Sequence, residues 1–182
     1  MTAKTRQPKG KISNRRGMSL VEILIYIFTL VILISVVVSS LFSFTRSYRS
    51  IQSAQTIERS AMTALERMVR EIRDSLSVDS SQSVFNAGDG VLTLGTTDDN
   101  GAATTVQFFT SGQRVHVKEA GVDVGALTAS SARVTSLIFR LITEPQAKAI
   151  KIEMTIESGQ GSGYKSKPFY TTVVLRGSYL LQ

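Results

Sequence analysis

The sequence predicts an α+β fold: a long N-terminal α-helix, transmembrane in its first half and amphipathic in its second, packed against a C-terminal antiparallel β-sheet. Three observations predict it. An almost wholly apolar run extends from Met18 to about Phe44. A helical period carrying many charges follows, from Thr45 to Val78. From Val84 onward, short alternating runs are separated by Gly, Asp, Asn and Ser. At 182 residues the chain has room for one domain and an anchor rather than two sizeable domains.

Residues 1–17 form a basic leader. Lys4, Arg6, Lys9, Lys11, Arg15 and Arg16 lie there and no acid does, so the formal charge of +7 is concentrated at one end. The remainder is nearly balanced. A nucleic-acid binder keeps its basic patch on the folded domain, so no nucleic-acid partner is predicted. The chain contains no cysteine, which excludes disulfides, thiolate chemistry and sulfur-ligated zinc.

Residues 18–44 read as a membrane-spanning helix. Crossing the hydrocarbon core takes about 20 residues of helix, and a single span in lipid must satisfy its own backbone hydrogen bonds, which only a helix does. The basic leader keeps the N-terminus cytoplasmic by the positive-inside rule and sends the C-terminal part out of the cytoplasm. A secretory signal has an apolar core of ~7–15 residues followed by a small-residue cleavage site. Here the run is longer and no such site follows, so the segment is retained.

Residues 45–78 continue the helix as an amphipathic one. Ile57, Ala61, Leu65, Met68, Ile72 and Leu76 recur at steps of three and four and form one apolar stripe. Arg59, Glu66, Arg67, Arg70, Glu71, Arg73 and Asp74 fill the other faces, with Glu66 and Arg70 in the favourable i,i+4 order. No Gly or Pro occurs from Met18 to Ala87. The reading is one helix of roughly 60 residues, which at ~1.5 Å per residue is on the order of 90 Å. Its second half needs a partner for its stripe.

Residues 84–182 supply that partner as a β-rich globular domain. Ile150, Ile152, Met154 and Ile156 alternate with Lys151, Glu153, Thr155 and Glu157, the mark of a half-buried strand. Phe169, Thr171, Val173 and Leu175 repeat the pattern after the Gly-rich connection Ser158 to Gly163, which suggests a hairpin. Leu137, Phe139 and Leu141 form another strand face. Shorter candidates are Val91 to Leu94, Thr105 to Phe109 and Arg114 to Lys118. A sheet with one apolar face, laid on the helix stripe, buries both.

The chemistry-bearing motif stands where leader meets helix: Arg15-Arg16-Gly17-Met18-Ser19-Leu20-Val21-Glu22. Gly17 leaves the backbone open to close approach. A cut there falls before the apolar run and keeps the anchor. Glu22 is the odd residue, since a carboxylate among Ile, Leu and Val costs several kcal/mol unless neutralised or paired. This segment resembles the type III signal of type IV prepilins and pseudopilins, in which basic residues and an obligatory Gly precede Phe or Met, then Ser or Thr, Leu, any residue and Glu. Phe is commoner where Met18 stands.

The resemblance implies that a membrane-embedded prepilin peptidase cuts between Gly17 and Met18 and methylates Met18 as the new first residue. It implies that Glu22 forms an assembly salt bridge with the amino terminus of a neighbouring subunit. It also implies a pilin-like fold, other pilin or pseudopilin subunits and an inner-membrane assembly platform as partners, and membrane lipid around the helix. The closing Phe169-Tyr170-Thr171-Thr172-Val173-Val174-Leu175-Arg176 is similar to the last strand of J-type pseudopilins and related minor pilins. The chain lacks the C-terminal disulfide loop of many major pilins and the Pro or Gly that often interrupts their helix, which points to a minor subunit.

Other candidates reduce to plainer roles. His116, between Val115 and Val117, is placed by alternation on the polar face of a strand, and no nucleophile motif accompanies it. Asp98-Asp99-Asn100-Gly101 clusters oxygen ligands as a calcium site does, but lacks the rest of a binding loop and contains the Asn-Gly of a turn. Gly159-Gln160-Gly161-Ser162-Gly163 neither leads from a strand into a helix nor ends in Lys-Ser/Thr, so it is a loop rather than a phosphate cradle. Arg67, Arg70 and Arg73 read as a solvated face balanced by Glu66, Glu71 and Asp74.

The expectation is therefore a filament subunit of a type IV pilus or type II secretion-type system, with no catalytic residues, cofactor or metal. Before assembly it is a single-pass protein of the cell (inner) membrane, with its C-terminal domain extracytoplasmic. The alternative is a single-pass membrane protein with an extracytoplasmic binding domain that never polymerises.

Overall fold

The computed structural model describes residues 17–98, 100–144 and 147–176. It has the α+β arrangement expected, with one long helix followed by antiparallel strands. Helix α1 runs Leu20–Asp74, 55 residues. The strands are β1 Ser77–Val78, β2 Leu92–Thr97, β3 Ala103–Ser111, β4 Arg114–Glu119, β5 Val122–Ala126, β6 Ala132–Glu144, β7 Ala147–Ser158 and β8 Lys165–Val174. The chain divides into two compact units between Ser43 and Phe44.

In the first unit, α1 is apolar all round and its side chains are exposed; exposure continues as far as residue 49. Three of its hydroxyls close on their own backbone: Thr29 Oγ1 donates to the Ile25 carbonyl (2.9 Å), Ser35 Oγ to Val31 (2.8 Å) and Ser39 Oγ to Ser35 (2.8 Å). These polar groups therefore need no partner from outside the helix, which is what a hydrocarbon environment demands. By length and composition this stretch is a candidate membrane span.

In the second unit the strands form two antiparallel sheets rather than the single sheet expected. Strands β1 to β5 pair in sequence order in one, and β6 to β8 in the other. Ile57, Ala61, Ala64, Met68 and Ile72 of α1 are all 1% exposed or less. They join Leu92, Leu94, Phe108, Val115, Phe139, Ile150, Ile152, Met154 and Ile156 in one apolar core. Burial of each large side chain contributes about 1.5–3 kcal/mol relative to leaving it in water. The stripe is thus as expected except at two positions. Leu65 is only partly buried, with Ala64 taking the inward place, and Leu76 lies outside the helix, 52% exposed.

The helix stops at Asp74 instead of reaching Val78. Ser75 is fully buried and its Oγ donates to the Ile72 carbonyl (2.7 Å), capturing an acceptor that the next helical turn would use. Leu76 N–H then donates to the Gly95 carbonyl (2.9 Å), and Ser77 and Val78 pair with Gly95 and Leu94. A Cβ at Gly95 would stand 2.6 Å from Ser77 Oγ, so a larger residue there would turn that hydroxyl aside.

The remaining strands follow local chemistry. Ser111 pairs with Arg114 across a two-residue turn in which Gly112 and Gln113 both have positive φ (55° and 60°), the twist a tight hairpin prefers. Glu119 and Val122 close over Ala120 and Gly121 in the same way (50° and 81°), which creates the unforeseen edge strand β5. The Ile150 to Glu157 alternation is borne out in β7, which pairs with β6 and β8 along its length.

Candidate functional site

The candidate site is the start of α1. Gly17, Met18 and Ser19 lie outside regular structure and α1 begins at Leu20. The Ser19 carbonyl accepts from the N–H groups of Glu22 (3.0 Å) and Ile23 (3.2 Å), so the helical ladder opens immediately after Met18. Among the described residues nothing stands within 4 Å of the position a Gly17 Cβ would occupy, and Met18 is 59% exposed. The Gly17–Met18 peptide bond is therefore open to approach.

Glu22 sits in the first turn of α1. Two features of that position suit a carboxylate within this chain alone. Unpaired N–H groups give a helix start positive character, worth about 0.3–1 kcal/mol to a nearby anion. Ser19 and Glu22 also have the Ser-x-x-Glu spacing of a capping box. One turn on, the Tyr26 hydroxyl donates to Glu22 Oε1 at 3.2 Å. Tyr26 was not singled out in the sequence, although its i+4 spacing from Glu22 is the signal that finds it.

A scan against protein-family models and searches of curated proteins and of solved structures gave no match to this chain. The site rests on its own residues.

The other sequence candidates lie apart from this segment in the chain. His116 is on the polar side of β4, as alternation predicts, but it has partners: Nδ1 lies 3.1 Å from Asp123 Oδ2, and its ring lies 5.6 Å from that of Phe109. Asp98 Oδ1 accepts from the N–H groups of Asn100 (2.9 Å) and Ala102 (2.8 Å), and Gly101 has φ 79°. The carboxylate is thereby committed to a turn. Asp99 lies outside the described residues. Among the described residues no group of three or more His, Cys, Asp or Glu side chains is placed to hold a metal ion.

Gly159 to Gly163 is a loop, with a short 3-10 turn at Gly161–Gly163. Arg67 bridges Glu71 (2.9 Å) and Glu119 (2.5 Å), linking α1 to β4, while Arg70 and Arg73 are exposed. The clearest displaced acid is Glu153, whose carboxyl is held down to about 2 by hydrogen bonds from Arg140 and Lys151. Asp79 is lowered chiefly by the Ser81 hydroxyl. Both are explained by strand and turn neighbours.

Proposed function

We propose that this chain is a minor pilin- or pseudopilin-like subunit of a type IV pilus or type II secretion-type filament. The observation that carries the reading is the sequence of features over six residues. An exposed, non-helical Gly17–Met18 bond closely precedes the helix, and a carboxylate stands within its first turn, at Glu22.

A prepilin peptidase cuts after Gly17, where the basic leader meets the apolar helix, and methylates Met18. The cut removes the leader cations and creates an ammonium group. In a filament that group on one subunit pairs with Glu22 of the next, which relieves the cost of placing a carboxylate among apolar helices. Processing and assembly are then coupled through charge. The apolar half of α1 sits in the inner membrane before assembly and among neighbouring helices of the filament afterwards. The N-terminus faces the cytoplasm and the C-terminal domain lies outside it.

Intact mass of the membrane-extracted protein tests this. Co-expression with a prepilin peptidase is expected to remove residues 1–17 and add a methyl group to wild type. Gly17→Glu is expected to retain the full leader. Equal shortening of both, or a wild type that keeps its leader, overturns the reading.

A second reading has an observation in its favour. Glu22 already has the helix start and the Tyr26 hydroxyl as in-chain partners. A single-pass membrane protein with an extracytoplasmic binding domain that never polymerises would use Glu22 in that way, and its leader would be indifferent to the peptidase.

A further inference from the structure

A cavity of about 510 Å³ opens in the C-terminal unit between α1, the loop that precedes β6 and the loop that follows β7. Its size falls within the ~300–1,000 Å³ of small-molecule sites. Gln52, Ser53, Thr56, Ser131, Arg133 and Gln160 line it. Among the described residues the lining has no carboxylate and no aliphatic or aromatic side chain.

The loops that form the walls are tied together and to the helix. Ser158 Oγ donates to the Ser131 carbonyl (2.9 Å), joining the two loops. Ala129 N–H donates to Ser60 Oγ (3.3 Å), tying one loop to α1. Gly159 has φ 85°, and a Cβ there would stand 2.2 Å from the Gly163 carbonyl oxygen and 2.5 Å from Ser53 Oγ. The second loop therefore closes on the helix only with glycine at that position.

Charge narrows the ligand. Arg133 is the one ionised side chain in the lining and makes no salt bridge among the described residues. Its cross-strand neighbour Glu157 lies outside the lining, on the side of Tyr164, whose phenol is pushed up chiefly by that carboxylate and drawn down by Arg133. A guanidinium presents a planar fork that matches one carboxylate. Hydroxyls and amides around it both donate and accept, which suits vicinal hydroxyls. A neutral polyol would leave Arg133 unused, and a doubly charged phosphate would meet only one cation.

We propose that this cavity binds an acidic sugar, with serine, threonine and glutamine side chains meeting the ring hydroxyls and Arg133 meeting the single carboxylate. A free uronic acid and a uronic-acid unit of a surface polysaccharide share this chemistry.

Calorimetric titration of the full-length protein in detergent micelles tests it, with glucuronate, a glucuronate-containing oligosaccharide, glucose and inorganic phosphate as probes. Glucuronate is expected to bind at least about tenfold more tightly than glucose, and Arg133→Gln to lose about tenfold. Lys148→Gln, at an exposed position elsewhere on β7, is expected to leave binding unchanged. Tighter binding of the oligosaccharide supports the polymer as source, and equal binding supports the free acid. The proposal is overturned if glucuronate fails to bind, if glucose or phosphate matches it, or if Arg133→Gln, with an unchanged circular dichroism spectrum, binds as wild type does.

Discussion

The two halves of α1 are built on the same backbone from opposite rules. Up to Ser43 the helix is apolar on every face, and its side chains are exposed. From Ser53 onward the buried apolar residues fall on one stripe, Ile57, Ala61, Ala64, Met68 and Ile72, which joins the core formed with the two sheets. A helix greasy all round requires surroundings of equal greasiness, whereas a striped helix finds its partner within its own chain. The comparison teaches that total apolar content does not separate an anchor from a core element. The angular distribution of the apolar residues does.

The same substitution in each half sharpens that contrast most. Ile72 is fully buried in the core and Ile32 is 49% exposed. Ile72→Ala is expected to destabilise the C-terminal unit by about 2–5 kcal/mol, from lost transfer energy and the cavity left behind. Ile32→Ala is expected to leave the unfolding of that unit unchanged. Chemical denaturation followed by near-ultraviolet circular dichroism in micelles measures both. Equal effects would break the distinction between the halves.

The converse experiment places a charge in the apolar half. Leu30→Arg adds a cation to a stretch of candidate membrane span and is expected to cost about 2.5–3.5 kcal/mol of insertion. The readout is the fraction retained in carbonate-washed membranes. Domain stability is expected to stay at the wild-type value. Full membrane retention would mean that the all-round apolar surface is not serving as a span.

Glu22 is the one acid in the first half of α1, and its removal has a smaller intrinsic effect. Glu22→Ala takes an anion from the helix start, about 0.3–1 kcal/mol of local helix stability, and removes the acceptor for Tyr26. Membrane insertion is expected to be spared, because alanine is easier to bury than a carboxylate. Under the filament reading, incorporation into filaments, measured by immunoblot of sheared fractions, is expected to fall sharply. Undiminished incorporation would leave Glu22 with only its capping role.

Legibility in the sequence followed the range of the interactions. The stripe at Ile57, Ala61, Met68 and Ile72 and the alternation from Ile150 to Glu157 are local periodicities, and each became the expected element. The helix end was misread because Leu76 continues the four-residue step. What stops α1 is the Ser75 side chain and a ladder partner at Gly95, twenty residues further on. Strand β5 escaped because its hairpin needs Ala120 in the left-handed region (φ 50°), which alanine does not advertise. Gly17, Met18 and Glu22 can be singled out as candidates from the sequence alone because they are contiguous in it. The polar cavity cannot be, since its lining comes from the segments 52–56, 130–133 and 158–160, and only folding brings them together.

Polar contacts of the C-terminal unit contribute least, and their signature is in pH. Glu153 on β7 accepts from Arg140 Nε (2.9 Å) on β6 and lies 2.8 Å from Lys151 Nζ. Both cations favour its ionised form, so its folded pKa is depressed to about 2 from an ordinary 4.5. For a depressed carboxyl the unfolded state binds the proton more readily. The stabilisation is therefore fully present above the ordinary carboxylate range and is lost as pH falls from about 4.5 towards 2. Glu153→Gln is expected to be less stable than wild type at neutral pH, with the gap closing across that acid window. Solvent screening keeps the effect small. Denaturation midpoints from pH 7 downward check it, and a gap that persisted at the acid end would show that the glutamate acts there through packing rather than charge. Ile72→Ala, by contrast, is expected to keep its deficit throughout, because burial of an alkyl group carries no proton. The helix stripe and the sheet-face ion pair are thereby separable by a single titration.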